Sequence, residues 1–399
     1  MSMEGERPFQ PLLRVERHVP FLFPSTFFCA RCVNLFLCGD VMTGRGVDQV
    51  LPCPSNPSLH EPFVESALEY VAMAEQANGQ IPKPVSFSYI WGDALEELNR
   101  MRPAARIINL ETSITTSEDY ERKGINYRMH PANTACLTAA KIDCCVLANN
   151  HVLDWGRSGL SETIGVLRKT GIKTAGAGAD LENAWIPAAI DTGLNTRVLV
   201  FAAGTEDSGI EPSWAATESN PGVAFLRDLS DTTLADIVER VKRHKRPGDI
   251  AVLSLHWGGN WGYEVPRSQQ IFAHKLIDSA EIDVVHGHSS HHPKGIEVYK
   301  DKPILYGCGD FLDDYEGIAG YEEFRTHLVL AYFVTLDPAS GDLAKLEMVP
   351  FEIRRFQLRY ASNNNAAWLK DVMAREGKRL RTRVLLCQRN HLALRWDAL

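Results

Sequence analysis

Metal-binding side chains follow six apolar, strand-like runs of this 399-residue chain. The runs end at Asp40, Glu111, Asn149-Asn150-His151, His256, the segment 286–292 with its four histidines, and Asp310. In open α/β sheets ligands bind outside the carboxyl ends of the strands, so we expect these side chains to meet at one edge. Carboxylate, amide and imidazole groups together suit a hydrolytic centre. The sequence therefore predicts a divalent metal site, with two ions of Mn, Fe or Zn.

The same residues carry a family resemblance. The motifs are Gly39-Asp40-Val41-Met42, Asn109-Leu110-Glu111, Ala148-Asn149-Asn150-His151 with Asp154 and Gly156, Gly176-Ala177-Gly178, His256-Trp257-Gly258 and Gly287-His288-x-x-His291. Over roughly residues 33–355 the chain resembles the CapA-type capsule synthesis proteins. These poly-γ-glutamate or polyglutamine synthesis accessory proteins are a branch of the calcineurin-like metallophosphoesterase superfamily. The resemblance implies a layered α-β-β-α sandwich.

The resemblance also implies a set of metal ligands, namely Asp40, Glu111, Asn150, His256, His288 and His291. Glu111 stands where the superfamily has its metal-bridging carboxylate. Met42 occupies a position at which the superfamily has a histidine, so one metal position would be weaker or differently completed. A helix or turn cap is the alternative role for Asp40, and capping of the Thr112-Ser113 turn is the alternative for Glu111.

His151 is the predicted catalytic residue, with Asp154 as its partner. A histidine beside the metals but not bound to them could protonate the leaving oxygen as a general acid. Asp154 would then orient the imidazole. The alternative is structural: Asn149-Asn150 makes the turn and Asp154 simply binds His151.

A third set of residues could contact substrate, namely Arg128, Asn149, Gly178, Glu264 and Asp310. Arg128 could bind a phosphate or carboxylate through two hydrogen bonds, or form a surface salt bridge. Gly178 belongs to a glycine motif that could present backbone N–H groups to an anion or make a tight turn. The insertion at residues 259–261 leaves the role of Glu264 open, and Asp310 is expected at the site rim.

Two other histidines, His286 and His292, are predicted either to support the ligands from behind or to be exposed. Buried imidazoles each need hydrogen-bond partners, so four histidines within seven residues are rarely all structural.

The charge balance argues against a nucleic-acid partner, because the formal net charge is −8 at pH 7. That charge is uneven. From Arg354 onward the chain has 11 Lys/Arg against 3 Asp/Glu, and the rest has 31 against 47. We expect the basic end either to dock on the acidic body or to bind an anionic partner.

Cysteine usage favours a reduced, cytoplasmic setting. The nine cysteines do not form a disulfide framework, and Cys29-x-x-Cys32 lacks the second pair of a zinc knuckle. Small buried thiols are expected at Cys38, Cys144, Cys145 and Cys308. Only residues 20–30 could serve as a signal-like region, and no run approaches the roughly 18 uncharged apolar residues of a membrane span.

Three regions are predicted: an irregular extension at residues 1–32, an α/β body at 33–360 and a basic helix-hairpin appendage at 361–399. Helical periodicity in the body covers residues 61–77, 131–140, 158–169, 232–245 and 267–280. The alternation of strands and helices implies mostly parallel strands. In the appendage we expect a helix over 366–381 and a hairpin of strands 383–387 and 391–396.

Two functions fit these observations. The first is a dinuclear metal-dependent phosphoesterase-like hydrolase acting on an anionic small molecule or polymer. The second is a non-catalytic accessory protein that binds an anionic polymer during polyglutamate or polyglutamine assembly or export, alongside other synthesis proteins. Fold alone does not decide between them, because function belongs to the site.

Overall fold

The computed structural model of the protein describes residues 32–193 and 196–397. Residues 1–31 of the predicted N-terminal extension, with the signal-like region and Cys29, lie outside the described residues. Within those residues, the structure contains no helix that is long and apolar enough to cross a membrane.

The described α-helices vary from one turn to almost five turns. They are α1 (Arg45–Val50), α2 (Ala67–Asn78), α3 (Ala94–Met101), α4 (Ala135–Ala139), α5 (Gly156–Lys169), α6 (Leu181–Trp185), α7 (Asp231–His244), α8 (Arg267–Ala280) and α9 (Asn363–Arg379). Short 3-10 segments lie at Tyr89–Trp91, Pro131–Thr134, Glu206–Ser208, Pro212–Trp214 and Gln388–Asn390.

The strands occupy most of the remaining core. In the first half of the chain they are β1 (Val33–Val41), β2 (Ala105–Leu110), β3 (Ser113–Ile114), β4 (Arg128–Met129), β5 (Cys144–Val146), β6 (Lys173–Ala175), β7 (Ala177–Gly178), β8 (Ala188–Asp191) and β9 (Arg197–Thr205). In the second half they are β10 (Gly222–Val223), β11 (Phe225–Leu226), β12 (Ile250–His256), β13 (Val284–His288), β14 (Ile296–Tyr299), β15 (Lys302–Leu305), β16 (Asp310–Leu312), β17 (Leu328–Leu336), β18 (Leu343–Ile353), β19 (Leu358–Tyr360), β20 (Thr382–Leu386) and β21 (Leu392–Trp396).

Two large sheets form the centre of the fold. The first has the order β20-β21-β18-β17-β1-β2-β5-β6, with β16 beside β1 and β19 beside β18. The second has the order β11-β9-β12-β13-β15-β14, with β8 beside β9. The strands that carry the predicted site form parallel pairs, as in β1–β2 and β12–β13, although β1 is antiparallel to β17 on its other side.

Alternating side chains on the second sheet define the layers. Val200 and Val252 point into the larger core, which also contains the first sheet. Their neighbours Leu199 and Leu253 point the other way, into a core with Phe272 of α8 and residues of α7. Because successive strand residues face opposite sides, one sheet face meets the other sheet and one meets helices. The predicted α-β-β-α sandwich is confirmed.

The expectation of mostly parallel strands holds for the site but not for the rest of the first sheet. Strands β17 and β18 form a long antiparallel hairpin, and β18, β21 and β20 continue antiparallel. A hairpin needs only a short turn, whereas parallel strands need a crossover. The apolar pattern of residues 328–353 did not predict this hairpin.

Most predicted helices are present within a few residues. The largest difference is at α2, which begins at Ala67 rather than near residue 61. The reason is local: Ser66 is an N-cap with a complete capping box, in which Glu69 bonds back to the cap. The earlier residues contain Pro62 and are irregular.

The predicted C-terminal helix and hairpin are present as α9 and β20–β21. We call residues 361–397 the C-terminal segment. Its apolar side chains Leu369, Met373 and Leu392 belong to the larger core, and β21 pairs with β18. The C-terminal segment therefore packs on the body. This agrees with the first of the two expectations for the basic end, docking on the body. Binding of an anionic partner, and the boundary at residue 361, stay predictions.

Candidate metal centre and substrate cavity

Strand ends from both sheets converge on one cluster of side chains. Asp40 is the second-last residue of strand β1, His256 is the last residue of β12, and His288 is the last residue of β13. The register pairs Asp40 with Asp310 and His256 with His288 on adjacent strands. We call the whole group the donor cluster: Asp40, Glu111, Asn150, His256, His288, His291 and Asp310.

The close approach of β1 to Asp310 depends on a glycine. A Cβ atom at Gly39 would lie 1.6 Å from the carbonyl oxygen of Gly309, so no other residue fits. The Asp40 N–H donates to that same carbonyl at 3.0 Å. The Asp40 carboxylate accepts hydrogen bonds from Asn109 Nδ2 at 2.7 Å and from the Ser289 N–H at 3.3 Å. These contacts fix both the position and the orientation of Asp40.

The buried imidazoles face one another and the amide. The Nδ1 atoms of His256 and His288 are 2.7 Å apart, and His256 Nε2 lies 3.0 Å from Asn150 Oδ1. Ser254 Oγ lies between His288 Nε2, at 2.8 Å, and His286 Nδ1, at 3.0 Å. Burial lowers the pKa of His256 and of His288 well below the ordinary value. Both rings are therefore neutral and keep a lone pair, as metal binding requires.

Two groups of donor atoms have the spacing of metal sites. One consists of Asp40, His256 and His288, the other of Asp40, His291 and Asp310, and the atoms within each group lie within 4.8 Å of one another. Ser289 has a φ of +102°, a strained turn that lies between His288 and His291. Asp40 belongs to both groups. Glu111 lies beside the first group, with Oε1 3.8 Å from His256 Nε2.

The electrostatics of the donor cluster fit a bound cation. Burial and the neighbouring Asp310 raise the pKa of Asp40 to about 7. Burial and the charges of Asp40 and Asp310 raise the pKa of Glu111 well above its ordinary range. Among the described residues, neither carboxylate forms an ion pair with a lysine or an arginine. Buried carboxylates without such partners are costly unless a metal ion compensates them.

His291 differs from the other imidazoles. Its Nδ1 lies 2.9 Å from Asp310 Oδ1, and although burial opposes the charged form, Asp310 raises the pKa of His291 to about 9. In the metal-free protein this histidine is thus a cation that partly neutralises the cluster. A metal ion would have to displace its proton, so metal affinity should rise with pH.

His151 and Asp154 form the predicted pair. Asp154 Oδ2 lies 2.7 Å from His151 Nδ1 and also accepts the Tyr127 N–H at 2.6 Å. Asp154 Oδ1 accepts from Lys123 Nζ at 2.7 Å, and the same ammonium group donates to the Asn150 carbonyl. Burial lowers the pKa of His151 to about 4, although Asp154 opposes that shift. The imidazole is therefore neutral at pH 7.

A cavity of about 780 Å³ opens over this cluster. Its walls include Asn150, His151 and His291, together with aromatic and charged side chains, among them Lys123, Trp214, Trp261, Tyr321 and Arg325. Trp261 comes from the insertion after His256 and stacks on Tyr321 with ring centroids 3.8 Å apart. The volume accommodates an organic molecule considerably larger than a phosphate ion.

Arg128, Gly178 and Glu264, which are also predicted substrate residues, belong to neither donor group and do not line the cavity. Arg128 is buried, contacts Glu118 at 2.9 Å and covers the Trp155 ring at 3.8 Å. Arg128 thus forms a salt bridge, which was the alternative to substrate binding, but its side chain is buried rather than at the surface. Gly178 lies in β7, where a Cβ atom would come within 2.3 Å of the Ala184 nitrogen. Glu264 is exposed. Whether these residues contact substrate stays a prediction.

Asn149 and the two extra histidines have structural partners. Asn149 donates to Asn109 Oδ1 and to the Leu110 carbonyl, at 3.0 and 2.9 Å. His286 contacts the Cys38 carbonyl at 2.8 Å and Ser254, so it supports His288 from behind. His292 packs between Phe324 and Tyr263. Both histidines are buried, so of the two alternatives predicted for them, exposure to solvent is wrong.

Sequence reasoning missed three side chains of the cavity floor: Lys123, Tyr127 and Tyr315. Lys123 joins Asn150 to Asp154, and the two tyrosine hydroxyls bond each other at 2.7 Å. Tyr127 immediately precedes the Arg128 that was singled out. Its partner lies 188 residues away, so no sequence spacing could have linked them.

The fold and the donor cluster define an α/β sandwich protein with a candidate metal centre. A family model described as "Bacterial capsule synthesis protein PGA_cap" matches residues 34–315. The chain belongs to this bacterial capsule synthesis protein family, and the resemblance to CapA-type proteins is confirmed.

Individual relatives agree with this family. The chain is 48% identical over 355 residues to a Mycobacterium tuberculosis (strain ATCC 25618 / H37Rv) protein named "Probable polyglutamine synthesis accessory protein", covering 88% of this chain and 93% of the relative. It is 25% identical over 317 residues to "PGA biosynthesis protein CapA" of Bacillus subtilis (strain 168), covering 79% of this chain and 70% of the relative.

Two solved structures also align with the chain. The first is a Mycoplasma pneumoniae phosphatase, with 9% sequence identity, a TM-score of 0.42 and coverage of 80% of this chain and 93% of that one. The second is the Bacillus subtilis calcineurin-like phosphoesterase YfkN, with 11% sequence identity, a TM-score of 0.38 and coverage of 88% of this chain and 99% of that one.

Proposed function

We propose that this protein is a metal-dependent, phosphoesterase-like hydrolase that acts in the synthesis of a capsule or polyglutamate-type polymer. The observation that carries this proposal is the pair of donor groups sharing Asp40, directly beside the His151–Asp154 pair. A structural cluster would need neither an open cavity nor a histidine free to exchange a proton. The names of the relatives support the process, with an anionic small molecule or polymer as substrate and other polyglutamate synthesis proteins as partners.

Divalent ions, two of Mn, Fe or Zn, would be held by the donor cluster. We assign Asp310 a ligand role rather than a place at the rim, because it shares a donor group with Asp40 and His291. It would complete the position that Met42 leaves without a histidine. The bound ions would supply Lewis-acid activation of a phosphoryl group and of water.

His151 would move the proton. Asp154 holds its Nδ1, which leaves Nε2 as the ring nitrogen without a partner among the described residues. A neutral imidazole is poised to accept a proton there, and an anionic substrate beside it would raise its low pKa. His151 would then donate from Nε2 to the leaving oxygen. Lys123 keeps Asp154 and the Asn150 carbonyl in place and so orients this histidine.

Turnover measurements test the proposal. The protein is assayed with generic phosphomonoester and phosphodiester substrates in Mn, Zn, Fe or Mg, together with metal analysis. We expect His151→Ala to cut turnover by roughly 10²–10⁴-fold with metal content intact. Asp40→Ala should lose metal and turnover together. Equal metal loss in both variants would make His151 a ligand, and turnover unchanged in Asp40→Ala would reject the proposed centre.

The second candidate is a non-catalytic accessory protein that binds an anionic polymer. The low pKa of His151 favours it, because a neutral imidazole has no proton at Nε2 to give before an anion binds. This function predicts metal-dependent retention of polyglutamate on the immobilised protein without turnover of any phosphoester. Turnover that depends on His151 would exclude it.

A further inference from the structure

Two tyrosine hydroxyls meet on the floor of the cavity. Tyr127 precedes β4 and Tyr315 follows β16, and their oxygens are 2.7 Å apart. The Tyr127 ring stacks on His151 with centroids 3.8 Å apart, and the Tyr315 ring meets His291 edge-on at 5.7 Å. Arg45 covers the Tyr127 ring at 4.8 Å. The phenol pair thus connects the two imidazoles that border the site.

The two hydroxyl groups have two hydrogens, but only one of these takes part in the hydrogen bond between them. Each phenol carries one O–H hydrogen, and a hydrogen bond between the two consumes one of them. Among the described residues, neither hydroxyl has another hydrogen-bond partner. A phenol has an ordinary pKa of about 10, so neither hydroxyl loses its hydrogen at neutral pH. One donor is therefore left without an acceptor.

The location of the pair indicates which acceptor it would serve. Both tyrosines line the cavity above the donor cluster. Arg45 lines it too, but its guanidinium group is already paired with Asp314 and Glu61. A donor left unpaired at a nearly buried position is costly, and an anionic oxygen relieves that cost better than a neutral group. The oxygens of a tetrahedral oxyanion bound at the donor cluster would lie between His151 and His291, where the pair sits.

We propose that Tyr127 and Tyr315 act together as a single hydrogen-bond donor to a tetrahedral oxyanion, such as a phosphoryl group, bound at the metal centre. The inference rests on the proposed function for the position of the anion. It adds two binding residues and names the chemical group that they recognise. Either hydroxyl supplies the hydrogen when the other is absent, so the two residues are partly interchangeable.

Phosphate binding by the full-length, Mn²⁺-loaded protein tests the proposal. Inorganic phosphate is titrated calorimetrically into the wild type, Tyr127→Phe, Tyr315→Phe and the double variant, all with measured metal content. Each single change should weaken binding by no more than about threefold, because one hydroxyl remains to donate. The double change should weaken it roughly 10- to 100-fold, as loss of a hydrogen bond to a charged group does. Phenylalanine retains the ring contacts with His151 and His291.

Tyr70→Phe is the matched control, because the Tyr70 hydroxyl already donates to Glu61. It should leave phosphate affinity unchanged. The proposal is overturned if the double variant binds phosphate as the wild type does, if one single variant shows the whole loss, or if the wild type does not bind phosphate. Should the double variant misfold, near-ultraviolet difference absorbance of the wild type decides: a tyrosine signal on phosphate addition is expected, and none would overturn the proposal.

The outcome is separable from that of the proposed function. If the double change weakens phosphate binding but no phosphoester is turned over, the tyrosine donor stands and the hydrolase proposal fails. If turnover occurs and the double variant keeps its phosphate affinity, the hydrolase stands and the tyrosine donor is wrong.

Discussion

Two buried glutamates, one in the donor cluster and one beneath the C-terminal segment, are in opposite electrostatic states. Glu111 has acidic neighbours, and burial with those charges raises its pKa well above the ordinary range. Glu97 of α3 is also buried, yet hydrogen bonds from His391, Arg100 and Tyr360 outweigh the effect of burial and hold its pKa at about 2. Arg100 Nε and the Tyr360 hydroxyl both donate at 2.9 Å.

The difference separates a functional carboxylate from a structural one. The protein supplies every partner that Glu97 needs, and those partners bring β19 and His391, next to β21, onto α3. Among the described residues Glu111 has no lysine or arginine as an ion-pair partner, so its charged form needs a cation from outside the chain. A buried acid with a raised pKa and an open cavity therefore indicates a cation site, whereas one with a lowered pKa indicates a structural clamp.

The same substitution should have opposite effects at the two glutamates, and the larger effect is at the donor cluster. Glu111→Gln should abolish stoichiometric metal binding, because an amide replaces a charged ligand. In the presence of chelator it should raise the free energy of unfolding at pH 7 by about 1–3 kcal/mol, because an acid whose pKa is raised in the folded state destabilises the fold above its ordinary pKa, and an amide does not titrate. Metal analysis and chelator-treated melting curves measure both. Glu96→Gln, an exposed change on α3, is the control. A destabilised metal-free Glu111→Gln protein would contradict the comparison.

After the loss of metal binding in Glu111→Gln, the next prediction concerns apolar packing of the C-terminal segment, which should affect stability alone. Leu369 of α9 is fully buried in the larger core. Leu369→Ala should lower the free energy of unfolding by about 2–5 kcal/mol without changing metal content, as core truncations do. Urea unfolding measures this, with the exposed Asp371→Ala expected to stay within about 0.5 kcal/mol. A loss below about 1 kcal/mol would mean that α9 is only loosely attached to the body.

Glu97→Gln should cost stability in a pH-dependent manner. Because the folded pKa of about 2 is below the ordinary value of 4.5, the carboxylate stabilises the fold above pH 4.5 and loses that contribution as pH falls towards 2. The variant should thus be destabilised by at most roughly 3 kcal/mol at pH 7 and approach the wild type near pH 2. Urea unfolding across this range, again with Glu96→Gln as control, tests the sign. If the free energy of unfolding of the variant differed from that of the wild type by the same amount at every pH, the loss would not come from the charge of Glu97.

Met42→His should have the smallest effect. Met42 is buried with its sulfur accepting the Gly44 N–H at 3.2 Å, and Asp310 already completes the neighbouring donor group. We expect less than about threefold change in metal affinity, against a loss of at least about tenfold for Asp310→Asn, since a charged ligand is removed. Competition with a chromophoric chelator gives both values. A pronounced rise in the metal affinity of Met42→His would show that a metal position lacks a ligand and that Asp310 does not replace the missing histidine.

Local patterns were sufficient for most helices and for the strand ends. The limits of α8 follow from periodicity alone, and the run 282–285 visibly ends where its histidines begin. The late start of α2 was missed because a capping box outweighed the apolar spacing upstream. The β17–β18 hairpin was missed because buried antiparallel strands lack the clear alternation that marks a half-exposed strand.

By itself the sequence determined which residues could bind metal and that they lie at the ends of parallel strands, because strand ends and side-chain chemistry are local properties. It also determined the family, through the order and spacing of the motifs along this chain. Only the tertiary structure decided that Asp310 joins Asp40 and His291, that Arg128 pairs with Glu118, and that Tyr127 meets Tyr315. Each of these contacts joins different loops or strands, and packing against neighbours that are distant in sequence sets the direction of each side chain.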